Sequence, residues 1–171
     1  NIMATKWNLD PTHSEITFKV RHMMISNVKG AFNSFSAEIE AEDDSFKNAK
    51  VSATINTDSI DTNNADRDAH LKSADFFNAE ANPTITFEST ALADEITGNL
   101  TINGVTKPVE LEVEFGGINV DPWGNTKAGF SFEGKIKRSD FGLNWNAALE
   151  TGGVLVSDDV KIAGELQFVK G

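Results

Sequence analysis

The chain has 171 residues, 39% of them hydrophobic and 24% charged, which sizes it as one globular domain with its own core and argues against a disordered segment. A formal net charge of −11 and a pI near 4.6 argue against nucleic acid and against docking on an anionic membrane, because both need clustered Lys and Arg. With no cysteine, disulfides, thiolate catalysis and cysteine-ligated zinc are excluded.

Asn1-Ile2 ahead of Met3 reads as an expression scar, leaving residues 3–171 as a single domain. No apolar run approaches the ~18 residues that span a bilayer, so no stable membrane insertion is expected. With Met3 as the native start the expected location is cytoplasmic; with a signal peptide removed ahead of it, periplasmic.

Alternation at period two dominates from residue 15 onward. Ile16, Phe18, Val20 and His22 share one face of a first strand. A second runs from Val28, Gly30 and Phe32 into Phe35, Ala37, Ile39 and Ala41. Its parity changes between Phe32 and Phe35, which predicts a bulge or bend. Val51, Ala53 and Ile55 mark a third strand, and Ile85 with Phe87 a fourth. Between them, residues 64–77 read as a short helix with Asn64 as N-cap and aspartates in its first turn.

Ile96, Gly98, Leu100 and Ile102 then lead into Asn103-Gly104, a type I′ hairpin turn. The return strand carries Val109, Leu111, Val113 and Phe115 inward, with Pro108 expected at its start. Gly116-Gly117, Asp121-Pro122-Trp123-Gly124 and Gly152-Gly153 read as loops, and Asp43-Asp44 and Asp158-Asp159 as solvated turns. Phe130, Phe132, Gly134 and Ile136 form another strand, and Val160, Ile162, Gly164, Leu166 and Phe168 the last. The fold expected is all-β: an eight-stranded antiparallel up-and-down barrel with one short helix.

Such a barrel is either filled by its own side chains or holds one small ligand. Gly30, Gly98, Gly134 and Gly164 all fall on the inward parity, as do Ala37, Ala41 and Ala53, so volume is missing where a packed core needs it. The competing reading is that these glycines mark bends or close backbone approach in a filled barrel. A lumen walled by Phe, Ile, Leu and Val, with no tyrosine in the chain, rewards hydrocarbon at roughly 0.8 kcal/mol per buried CH₂.

Several stretches together resemble the YceI-like polyisoprenoid-binding family. They are Trp7-Asn8-Leu9-Asp10-Pro11-Thr12-His13-Ser14 with Phe18 and Val20-Arg21-His22; Gly30-Ala31-Phe32; Ser59-Ile60-Asp61-Thr62; Arg67-Asp68 with His70-Leu71-Lys72-Ser73; and Asp75-Phe76-Phe77 with Pro83 and Phe87. Leu100 to Val109, Gly129-Phe130 and Arg138-Ser139-Asp140-Phe141-Gly142 continue it, so the likeness covers almost the whole chain in family order. It implies a lipocalin-like eight-stranded bacterial barrel whose tunnel binds isoprenoid chains or other amphiphilic lipids. It also implies, in some members, stress or acid adaptation or a part in isoprenoid quinone metabolism, and it brings no catalytic residues.

On this reading the lining is Phe18, Val20, Phe32, Phe35, Phe87, Leu100, Phe115, Phe130, Phe132 and Ile162. His22, Arg67, His70, Lys107 and Arg138 are the candidates for headgroup contact or closure of the mouth. Arginine suits a phosphate or carboxylate head. The plainer roles are a buried, hydrogen-bonded histidine at His22 and ion pairs of Arg67 with Asp68 and Arg138 with Asp140 pinning helix and loop to the rim. Trp7, Trp123 and Trp145 suit either a pocket mouth or core and rim packing.

No metal spacing links His13, His22 and His70. Asp58, Asp61 and Asn63 lack the glycine and glutamate of a calcium loop. No nucleophile elbow, P-loop or dinucleotide fingerprint is present. Neither a catalytic residue nor a cofactor is therefore expected. The partner expected is an isoprenoid or other long-chain lipid, for transport, storage or sequestration, with a homodimer through loops or a strand face left open. Two alternatives stand beside it: an enzyme on an isoprenoid or amphiphilic substrate with His22 or His70 as acid–base, and a filled barrel acting through its surface.

Overall fold

The computed structural model describes residues 5–22, 26–42, 46, 49–73, 77, 79–92, 95–143 and 156–171, with backbone alone at 21, 22, 26, 27, 90–92, 156 and 157. Eleven strand segments form one sheet: β1 (Thr5–Leu9), β2 (Glu15–His22), β3 (Ser26–Phe32), β4 (Phe35–Ala41), β5 (Lys50–Asn56), β6 (Ile60–Asp61), β7 (Thr84–Leu92), β8 (Glu95–Ile102), β9 (Val105–Val120), β10 (Thr126–Lys137) and β11 (Val156–Lys170). The ring β1–β4–β5–β7–β8–β9–β10–β11 closes because β1 pairs back onto β11, giving an eight-stranded antiparallel barrel. The remaining segments, β2, β3 and β6, continue the wall from β11 at the other end.

That arrangement explains the parity change between Phe32 and Phe35. The second strand leaves β2 at Phe32, breaks at Asn33-Ser34, and resumes as β4 between β1 and β5. Thr5–Leu9 had no strand reading of its own, since five residues with only Trp7 and Leu9 apolar on one face carry a faint period-two signal. It nevertheless closes the barrel, with Trp7 opposite Ile39 on one side and Lys170 on the other.

Several boundaries differ from the expectation for physical reasons. The helix, α1, runs only over Ala65–Lys72. Asn64 caps it by accepting from Arg67 N–H at 3.0 Å, while Ser73 turns both its N–H and its hydroxyl onto the His70 carbonyl and ends it. Gly116-Gly117 is not a loop but part of the sixteen-residue β9. Phe130 pairs with Phe115 and Gly129 with Gly117, so Gly116 is the extra residue of a β-bulge, and Gly117 takes φ +107. Asp158-Asp159 likewise lies inside β11. Asp43-Asp44 and Gly152-Gly153 fall outside the described residues.

Pro108 sits within β9 rather than at its start, opposite Asn99. Counting from the two-residue turn, Asn99 and Pro108 form a non-hydrogen-bonded pair, so the missing N–H faces away from β8. On that side, among the described residues, β9 has no partner until Glu112 meets β10. The proline therefore costs the sheet no hydrogen bond.

One end of the barrel is packed shut. Trp7 is fully buried against Phe46 (centroids 5.1 Å), and Phe46 meets Phe130 at 5.1 Å, which meets Phe168 at 5.9 Å. Beside this plug Asp10 caps the 3-10 turn Pro11–His13 and holds Thr12, His13 at 2.8 Å and Lys127 at 3.0 Å. Those donors keep its carboxyl well below the usual carboxylate range. At the other end an amide chain stitches three segments: Asn82 donates to Phe77 O and Asn103 Oδ1, and Asn103 donates to Phe141 O. The outer wall is segregated by charge. Lys135, Lys161, Lys19 and Lys29 stand directly opposite one another across β10, β11, β2 and β3, and Glu95, Glu112 and Glu133 do so across β8, β9 and β10.

Candidate functional site

The inward parity of the strands encloses a cavity of about 630 Å³. Every strand of the closing ring except β1 contributes to its wall, from Phe35 and Ile39 on β4 round to Leu166 and Phe168 on β11. The lumen is thus open, which disposes of the filled barrel. Nine of the ten expected lining residues are on its wall: Phe18, Val20, Phe32, Phe35, Phe87, Leu100, Phe130, Phe132 and Ile162.

Phe115 is the exception. It is 44% exposed and stacks on Phe130 at 5.1 Å and edge-on to Phe46 at 5.4 Å, so it backs the plug from outside the cavity. Its place beside the Gly116 bulge carries β9 past the cavity floor. Phe46 itself was missed, because it stands alone among charged residues with no periodic neighbour; it is buried at φ +59.

The inward glycines keep volume in the lumen by a different route from the one expected. A methyl group on Gly30 would overlap the tip of the Phe18 ring, one on Gly164 the Phe132 ring, and one on Gly134 the end of Leu111; on Gly98 it would fall 2.5 Å from Phe87 Cζ. Each glycine is therefore covered by a neighbouring side chain that lies along the wall.

The polar side chains at the cavity come chiefly from α1 and from the 3-10 turn Arg138–Phe141, at the end opposite the plug. Asn64, Asp66, Arg67, His70 and Arg138 all reach it. Arg67 donates through Nε to Thr62 Oγ1 at 2.8 Å and through Nη2 to Thr62 O at 2.7 Å, while Asp68 accepts from both the N–H and the hydroxyl of Thr62. Thr62 thus mediates between Arg67 and Asp68, where a direct ion pair was one expectation. Arg138 is 6% exposed, and its Nη1 donates to Leu143 O at 2.7 Å. Burial pushes its guanidinium below the ordinary value, and the charge of Asp158 pulls it back in part. Asp158 is itself held by Ser139, through N–H at 2.9 Å and hydroxyl at 2.8 Å.

Lys107 is exposed and stands apart from the cavity wall. The side chain of His22 lies outside the described residues, as does Trp145. Trp7 belongs to the plug, and Trp123 is 83% exposed on the β9–β10 loop. Asn64 and Asp66 were not singled out as cavity residues, because a polar helix start reads equally well as capping. Among the described residues no three His, Asp or Glu side chains gather to hold a metal ion. Among the described residues no helix is long and apolar enough to cross a membrane.

The strands thus define a closed antiparallel barrel with an apolar internal cavity and polar side chains at one end. The YceI-like domain model matches residues 7–168, and the chain belongs to that family. A UPF0312 protein of Staphylococcus epidermidis is 42% identical over 166 residues, 96% of this chain and 97% of that one. A Staphylococcus aureus relative is 40% identical over the same span. Among solved structures, Burkholderia cenocepacia BcnA superposes with TM-score 0.79 at 25% identity, covering 93% of this chain and 98% of that one. The Campylobacter jejuni YCEI protein does so with TM-score 0.75 at 36% identity, covering 88% and 90%. A polyisoprenoid-binding domain from Saccharophagus degradans shares the fold, with TM-score 0.72 at 16% identity over 96% and 98%.

Proposed function

We propose that the barrel binds a long apolar or amphiphilic lipid, its chain in the lumen and its polar head toward Arg67, His70 and Arg138, for transport, storage or sequestration. The observation that carries this reading is the 630 Å³ cavity, apolar along the strands, with Arg67 and Arg138 beside Asp66 and His70 at one end. Burial of the chain supplies affinity at roughly 0.8 kcal/mol per CH₂, and the arginines favour a head with acceptor oxygens. The polyisoprenoid-binding domain of the same fold supports an isoprenoid chain as the first ligand class to test. Solvent extraction of protein purified from cells, followed by mass spectrometry, is expected to release a long-chain lipid. An empty extract, joined to failure to bind any prenyl or fatty chain, sinks the proposal.

One observation favours a second reading. Asp66 and His70 are one turn apart on α1 and both line the cavity, so two titratable side chains stand at its wall. Prolonged incubation with prenyl and fatty substrates that returns each unchanged counts against an enzyme. Turnover abolished by His70→Ala with binding intact would establish one.

A further inference from the structure

We propose that the glycine positions of the wall are the specificity determinants of the cavity. By letting Phe18, Phe87, Leu111 and Phe132 lie flat, Gly30, Gly98, Gly134 and Gly164 set a bore that admits one slender chain. The inference rests on the reading of the barrel as a lipid binder.

The register carries the argument. Phe18 is directly opposite Gly30, and Phe132 directly opposite Gly164. Phe87 faces Leu100, one inward position from Gly98. In each case the bulky side chain crosses sideways onto the neighbouring strand and takes the space that a Cβ would fill. Phe18, Phe87, Leu111 and Phe132 already line the lumen, so a side chain displaced from its glycine moves further into it. Three rings and one leucine turned inward would close a passage of this size. As built, 630 Å³ at about 30 Å³ for each water-sized group holds about twenty carbon-sized groups. That is one chain of four isoprene units, and a lipid with two such chains exceeds it.

The competing account is structural: an aromatic ring covering a strand glycine stabilises the sheet whether or not a ligand exists. Substitution separates the two. At Gly98 and Gly164 a methyl also meets the carbonyls of Glu88 (2.5 Å) and Glu15 (2.9 Å), whereas at Gly30 and Gly134 the crowded atoms are the ends of side chains. Gly30→Ala and Gly134→Ala are therefore the variants to use, titrated calorimetrically with prenyl alcohols of two, four and eight isoprene units. For the parent protein, affinity is expected to rise up to four units and then level off.

Each variant is expected to lose about tenfold for the four-unit alcohol, the worth of roughly two methylenes, with little change for the two-unit one. Phe18→Leu added to Gly30→Ala is expected to restore the part of the loss due to the ring, the Thr62 methyl 2.9 Å from the new Cβ keeping the rest. Should Gly30→Ala fail to fold, Phe18→Ala tests the same point from the other side and is expected to move the levelling-off to longer chains. A length profile unchanged in the folded variants overturns the inference while the lipid reading survives. A parent protein that binds no prenyl or fatty chain overturns both.

Discussion

At one end of the barrel Trp7, Phe46, Phe130 and Phe168 interlock ring against ring; at the other, Arg67, His70 and Arg138 come to the wall of a cavity that stays open. The rings of the first end cover one another, while the indole N–H of Trp7 is buried with no hydrogen-bond partner among the described residues. The second holds a buried cation, Arg138, whose Nη1 donates to the Leu143 carbonyl at 2.7 Å and whose charge is opposed by Asp158, itself held by Ser139. Stability is concentrated at the plug and binding capacity at the open end. Substitutions at the two ends should therefore move different observables.

The largest effect is expected at the plug. Trp7→Ala removes a fully buried side chain and should cost about 3–5 kcal/mol in urea unfolding. Lipid affinity of the fraction still folded should hardly change. A variant that keeps its stability would show that the plug does not carry the fold.

At the open end, Arg138→Met should move binding as well as stability. The Leu143 carbonyl loses its guanidinium donor and Asp158 its opposing charge, so about 1–3 kcal/mol of stability should go. Affinity for an amphiphile with a carboxylate or phosphate head should fall by about 2 kcal/mol, the worth of a hydrogen bond to a charged group, while a prenyl alcohol loses less. Equal loss for both ligands would remove Arg138 from headgroup recognition. Asn103→Ala tests the frame of the same end. It breaks the amide chain to Asn82 and Phe141 and puts a Cβ-bearing residue less suited to φ +54 in the turn, so about 1–2 kcal/mol of stability should go.

The smallest contrast is in acid. The Asp10 carboxyl is held low by the Thr12 hydroxyl, then His13, then Lys127. Its stabilisation is thus fully present above the ordinary carboxylate pKa of about 4 and is lost as pH falls toward the folded value. Asp10→Asn keeps the cap and removes only the charge, so it should flatten the acid limb of the stability profile and cost about 0–1 kcal/mol near neutrality. An acid limb identical to the parent's would mean that the cluster beside the plug contributes nothing there.

Much of the barrel was legible because strand parity is a local property. Ile16 to Val20, Ile96 to Ile102 and Val160 to Phe168 each carry enough alternation to fix which side chains face inward, and Asn103-Gly104 fixes one hairpin. What parity does not reveal is where a strand changes partners or how far it runs. Thr5–Leu9 closes the ring with only two apolar residues, and the Gly116 bulge hides inside what reads as a loop. Both depend on pairings distant in the chain. The lining was largely visible for the same reason, apart from Phe115, whose inward parity continues past the floor of the cavity. The open end was half visible. Arg67, His70 and Arg138 stand out by type, but the bond of Arg67 to Thr62 exists only because β6 delivers that threonine to the helix.

The charge rows on the outer wall have a consequence in solution. Lys135 reaches Asp159 at 3.4 Å, while Lys19, Lys29 and Lys161 face like charges with no carboxylate within ion-pair reach among the described residues. Directly opposed side chains stand about 5 Å apart, and at that distance equal charges on a sheet repel. Mobile ions weaken such repulsion once the screening length shrinks toward that spacing, at about 1 M salt. This barrel should therefore melt at a higher temperature in concentrated sodium chloride than in dilute buffer, the reverse of a fold held by surface ion pairs.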